Sequence, residues 1–149
     1  MRQLALWALV GVFVTVGLWA PSLAAQAGAK YTARLAWVPI SGAERADVTG
    51  KGSATGTLSG STFTIAGTFE GLAAPATVAR LHNGIAKGAR GPAVTDLTVT
   101  KGASGTISGS AQLTPDLLEA LKQGRLYVQV HSEKGVAPDG ANLWGWFLP

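Results

Sequence analysis

The chain has 149 residues, enough for one packed domain and too few for two. Hydrophobic residues make up 47% and charged ones 13%, which excludes a disordered chain, and the 20 glycines follow no collagen period. Twelve Lys and Arg against eight Asp and Glu give a net charge of +4 with no basic cluster, so nothing points to nucleic acid. Zero cysteines exclude disulfides, thiolate catalysis, Cys-ligated zinc and lipid attachment through a cysteine.

Arg2 opens the chain, and Leu4 to Ala20 follow as 17 residues without a charge. Pro21 and Ser22 break the run, and small residues come next at Ala24, Ala25, Ala27, Gly28 and Ala29. A positive start, an apolar middle and a small-residue zone are the layout of a secretory signal peptide. Ser22-Leu23-Ala24 and Ala25-Gln26-Ala27 are both small-x-small sites, so the mature chain is expected to begin near residue 25 or 28. Residues 1–27 are then the signal peptide and 28–149 a periplasmic or secreted domain. The alternative is an uncleaved anchor, for which 17 residues lie at the short limit. Only that alternative implies a membrane association.

From Lys30 the signals are β. Tyr31, Ala33, Leu35 and Trp37 alternate with Thr32, Arg34 and Ala36 up to Pro39, which predicts a strand with Trp37 on its core face. Ile40 to Lys51 lacks an apolar period and reads as a loop. Gly52 to Leu58 and Thr62 to Phe69 flank Ser59-Gly60-Ser61 as a hairpin, with Phe63, Ile65 and Phe69 on one face of the second strand. Thr77 to His82 is a further strand, Asn83 to Pro92 a glycine-rich loop, and Val94 to Thr100 and Ser104 to Leu113 two more strands.

One helix interrupts the pattern. Thr114 is its expected N-cap, Pro115 its first residue and Asp116 its complement to the positive helix end. Leu117, Leu118 and Leu121 form an apolar stripe, and Gly124 ends the helix as C′. Leu126 to Ser132 and Asn142 to Leu148 are the closing strands. Gly56 to Ser61 echoes Gly105 to Ser110, which shared turn chemistry explains better than a duplicated half-domain. Short strands and turns at this spacing favour a sandwich or barrel, and the reading is a single antiparallel β-sandwich of seven or eight strands with one short helix.

Several segments together resemble a known family. A strand like Tyr31 to Val38 is followed by Gly-x-Ala-x-Gly at Gly52 to Gly56 and by Phe69-Glu70-Gly71-Leu72. Leu81-His82-Asn83-Gly84, Gly91-Pro92-Ala93-Val94 and Leu113-Thr114 come next, then Gly124-Arg125-Leu126-Tyr127-Val128-Gln129-Val130-His131-Ser132. The last segment is similar to the Gly-x-x-Tyr-Val-Asn-Val-His-Thr of the chordin-type (CHRD) domain, and the resemblance covers residues 31 to 148. It implies an exported immunoglobulin-like β-sandwich, similar in outline to superoxide dismutase, and no settled activity. This chain departs from the family pattern at three positions. Arg80 stands where a first His of His-x-His is expected. Asn142 and Trp144 stand at the acidic and basic positions of a Gly-Glu-Ile-Arg-Gly-like segment.

Strand alternation puts the unusual residues on one face. Arg80 and His82, then Tyr127, Gln129 and His131, then Asn142, Trp144 and Trp146 all fall opposite the core residues of their strands. If these strands are neighbours, Arg80, His82, Tyr127, His131, Trp144 and Trp146 form one ligand- or partner-binding patch. His82 and His131 are also candidate metal ligands, since imidazole suits copper and zinc, with Asp139 or Glu133 completing a site. The alternative is that each imidazole hydrogen-bonds loop backbone at a strand end. Trp144 and Trp146 are either a cover for a sheet face or an exposed aromatic platform. Arg80 is expected to lie over Trp144 as a cation–π pair.

No serine sits in a Gly-x-Ser-x-Gly elbow, no glycine loop opens a helix with phosphate-binding spacing, and no carboxylates pair. No catalytic residue and no enzyme activity is therefore expected. The reading is a non-enzymatic binding or structural module without a cofactor, meeting an extracytoplasmic protein or surface ligand. The alternative is a periplasmic copper- or zinc-binding protein with redox activity.

Overall fold

The computed structural model describes residues 28–149, so the expected export signal lies outside the described residues. Eight strands form: β1 (Ala29–Trp37), β2 (Lys51–Ser59), β3 (Thr62–Glu70), β4 (Ala76–Asn83), β5 (Ala93–Val99), β6 (Gly105–Gln112), β7 (Leu126–Val136) and β8 (Ala141–Trp146). One helix, α1 (Pro115–Lys122), joins β6 to β7, and a 3-10 turn at Gly42–Glu44 lies in the expected 40–51 loop. Every pairing is antiparallel, and the strands close in the order β1-β2-β3-β6-β5-β4-β7-β8.

The all-β class with one short helix is as expected, but the strands close into a barrel where a sandwich was expected. Closure depends on two strands that change partners along their length. β1 pairs with β2 from Ala29 to Leu35, then with β8 at Ala36 and Trp37. β5 pairs with β4 up to Leu97, then with β6 at Thr98 and Val99.

The interior takes the residues that alternation assigned to it, including Tyr31, Leu35, Phe63, Ile65, Leu81, Val128 and Leu143, and adds Ile107 of β6. Phe63 sits among them with edge-to-face contacts to Tyr31 and Phe147, centroids 6.0 and 5.1 Å apart. The β2–β3 turn has Gly60 at φ +60° as its first central residue, as a type II′ hairpin requires. The echoed segments are not equivalent. Gly56 to Ser61 runs through this turn, whereas Gly105 to Ser110 stays within β6.

α1 begins where Thr114 Oγ1 accepts from Leu117 N at 3.3 Å and buries Ala120 and Leu121 in the interior cluster. It ends in a Schellman motif: Gly124 at φ +67° donates to Leu121 O, and Arg125 donates to Ala120 O. Because it follows β6 and precedes β7, it lies at the barrel end that also carries the 84–92 loop.

Trp37 corrects one expectation. Its register partner Leu143 faces the interior, so Trp37 keeps the inward parity of Leu35. It nevertheless lies at the barrel end opposite α1 and is 51% exposed. Period-two alternation assigns a side, not a depth, and the strand has reached the barrel mouth at this residue.

Candidate functional site

β4, β7 and β8 are neighbours, so the polar and aromatic residues of their outer faces meet. Registers arrange them in cross-strand rows. His82, Tyr127 and Trp146 form one, and Arg80, Gln129 and Trp144 the next. In the first row Tyr127 is sandwiched: its ring stacks on His82 at 4.8 Å with planes 18° apart, and on Trp146 at 4.8 Å with planes 26° apart. Trp144 meets Tyr127 edge-on at 6.1 Å and Trp146 at 4.6 Å.

This face is a second packed layer, with Tyr127 and His131 inside it rather than on an open surface. Tyr127 is 1% and His131 0% exposed, while His82, Arg80, Trp144 and Trp146 are half-buried. Three segments cover it. Val38 and Val48, from the stretch after β1, pack on Ala141 together with Ile40, Val136 and Trp144. Gly91 lies against the first row, with Tyr127 Oη 3.3 Å from its N and 3.4 Å from its O. The segment before β8 brings Asp139 to His131.

Each imidazole donates from Nδ1 to a loop carbonyl: His82 to Gly91 O at 3.1 Å, and His131 to Asp139 O at 3.0 Å. His131 Nε2 then accepts from the Gln129 side-chain amide at 3.1 Å, so both of its ring nitrogens are used. His82 Nε2 and Trp146 Nε1 are buried with no hydrogen-bond partner among the described residues. Burial holds the His82 imidazole below its usual pKa, against the raising effect of the Gly91 hydrogen bond. Among the described residues no group of three or more His, Cys, Asp or Glu is placed to hold a metal ion.

The three departures from the family pattern have local structural roles. Arg80 does not reach Trp144. It pairs across β4–β5 with Asp96, Nε to Oδ1 at 2.7 Å, and Gln129 stands between it and Trp144 in the row. The cation over Trp144 is Arg90, 5.5 Å from the ring centroid. Sequence alternation could not find it, because Arg90 sits in a loop without a period. Asn142 is fully buried and donates to Ser132 Oγ at 2.9 Å and to Lys134 O at 3.3 Å. A neutral amide there needs no counter-ion, which suits a position with no exposure.

A family model described as CHRD domain fits residues 38–141, most of the described chain. No curated protein matches it.

Proposed function

The chain belongs to the CHRD domain family, and from that premise we propose that it is an exported, non-enzymatic binding or structural module. Its working surface is the layer on β4, β7 and β8 with the loops this layer holds. The observation that carries the reading is how His131 and Tyr127 are engaged. His131 has both ring nitrogens hydrogen-bonded, and Tyr127 lies between two aromatic rings with its hydroxyl on Gly91. A general acid or base must reach a substrate proton, whereas these groups are committed to the Asp139 and Gly91 backbone and the Gln129 side chain. Three loops are thereby preorganised, which lowers the entropic cost of meeting an extracytoplasmic protein or surface ligand. Arg90 and Trp144 form the accessible border of that surface.

Export is supported by the charge and small-residue layout of residues 1–27. We read the barrel as a flattened immunoglobulin-like sandwich, because its β1–β8 and β5–β6 seams are only two register pairs long.

The test is intact mass and metal content of protein recovered outside the cytoplasm. Loss of the first 24 or 27 residues and no bound metal are expected, with no rise in Tm on adding copper or zinc. About one metal per chain with a clear Tm rise would replace this reading by a metal-binding one. A mass retaining Met1 would replace the cleaved form by an anchored one.

A further inference from the structure

The barrel end opposite α1 carries a cleft that the β4–β7–β8 layer does not share. It has a volume of about 770 Å³ and is lined by the last residues of β1, the first of β2 and the last of β3. That volume is in the range of small-molecule sites. Its origin is topological. The β1–β2 ladder ends at Leu35 and Gly52, after which β1 turns to β8 and leaves a gap beside β2. Trp37 spans the gap by donating from Nε1 to Gly50 O at 2.8 Å, which fixes the orientation of its ring while leaving half its surface open.

The lining identifies a class of ligand. Leu35 and Phe69 form the floor and are almost fully buried, and the exposed lining mixes apolar and polar surface. What it offers is one flat indole and a rim of polar groups. Arg34, Ser53 and Thr68 lie in one cross-strand row, with Lys51 and Glu70 paired at 3.4 Å beside them. An indole face beside hydroxyls and charges suits a pyranose ring, which has an apolar C–H face and a polar edge. The charge balance narrows it further. Glu70 is matched by Lys51, while Arg34 has no ion pair among the described residues. A guanidinium in this position is suited to a carboxylate, which it binds bidentately.

We propose that this cleft is a binding site for an acidic glycan, with a uronate ring stacked on Trp37 and its carboxylate on Arg34. Lys51 and the Ser53 and Thr68 hydroxyls meet the ring edge. The site is built on different strands from the aromatic layer, so it stands or falls separately from the working surface proposed above.

The test is calorimetric titration of the full chain with tetragalacturonate and, as a neutral comparison, cellotetraose. Saturable binding of the acidic sugar is expected, weaker binding of the neutral one, and a preference that shrinks as salt rises. Trp37→Ala should weaken binding about tenfold or more, the usual result of truncating an aromatic anchor. Trp37→Phe retains a stacking face and should keep binding, which guards against an alanine variant that does not fold. Arg34→Gln should abolish the preference for the acid and leave the neutral sugar unaffected. Absence of saturable binding, equal affinity for both sugars, or unchanged binding in Arg34→Gln would overturn the proposal.

Discussion

Tyr127 is the residue on which the outer layer depends, and two substitutions separate its contributions. Tyr127→Phe removes only the hydroxyl, whose contacts with Gly91 are 3.3 and 3.4 Å long. Such lengths place the loss in the lower half of the usual net range, about 0.5–1 kcal/mol. Tyr127→Leu also removes the stacks on His82 and Trp146, both at 4.8 Å. At about 0.5–1.5 kcal/mol per aromatic pair, plus a cavity where the ring was, the total is about 2–4 kcal/mol. An unfolding entropy of about 2.1 cal/mol/K per residue over about 120 residues converts 1 kcal/mol into about 4 °C of Tm. The expected losses are therefore about 2–4 °C for Tyr127→Phe and about 8–16 °C for Tyr127→Leu, read by calorimetry. Amide exchange in the phenylalanine variant should quicken within the 84–92 loop and not in β2 or β3. A phenylalanine variant as damaging as the leucine one, or unchanged exchange in that loop, would refute the account of Tyr127 as a stack that also clamps Gly91.

His82 predicts a pH dependence. Its folded pKa is depressed, chiefly by burial, with Arg80 and His131 adding to the effect and Gly91 and Asp139 opposing it. The unfolded chain then takes up the proton first as pH falls, so this contribution to stability is complete above about 6.5 and declines below it. Urea midpoints between pH 7 and 5 should show a shallower decline in His82→Gln, and an unchanged slope would assign the effect elsewhere. A double-mutant cycle on Arg90 and Trp144 should give a coupling of about 0.5–1 kcal/mol. The same cycle on Arg80 and Trp144 should be additive, since Arg80 is held by Asp96. Thr114→Ala should cost roughly 0.5–2 kcal/mol through the lost cap on Leu117 N, and an unchanged denaturant midpoint would show that the cap contributes nothing.

Much of this protein was legible in the chain because it depends on near neighbours in sequence. Alternation placed Leu126, Val128 and Val130 inside and Tyr127, Gln129 and His131 on the opposite face, and the structure has them there. Thr114, Pro115 and Gly124 marked the helix because capping is decided within one turn. Even the grouping of Arg80, His82, Tyr127, His131, Trp144 and Trp146 followed from parity once β4, β7 and β8 were adjacent.

What parity cannot express is what lies above a face or beyond the end of a strand. Tyr127 and His131 are buried where segments 84–92 and 137–140 return over them, through contacts such as His131 to Asp139 and Tyr127 to Gly91, while the 38–50 segment packs beside them on Ala141 and Trp144. Trp37 has the parity of a core residue and is exposed because β1 has run out of barrel beneath it. Arg80 and Arg90 carry the same charge, and only the path of the 84–92 loop brings Arg90 rather than Arg80 to the indole of Trp144. The sequence by itself determined the strands, the helix and the side of the sheet on which each residue stands, because those are set by backbone geometry over a few residues. The tertiary structure alone decided depth and partner, because loop paths and barrel closure are set by contacts between residues far apart in the chain.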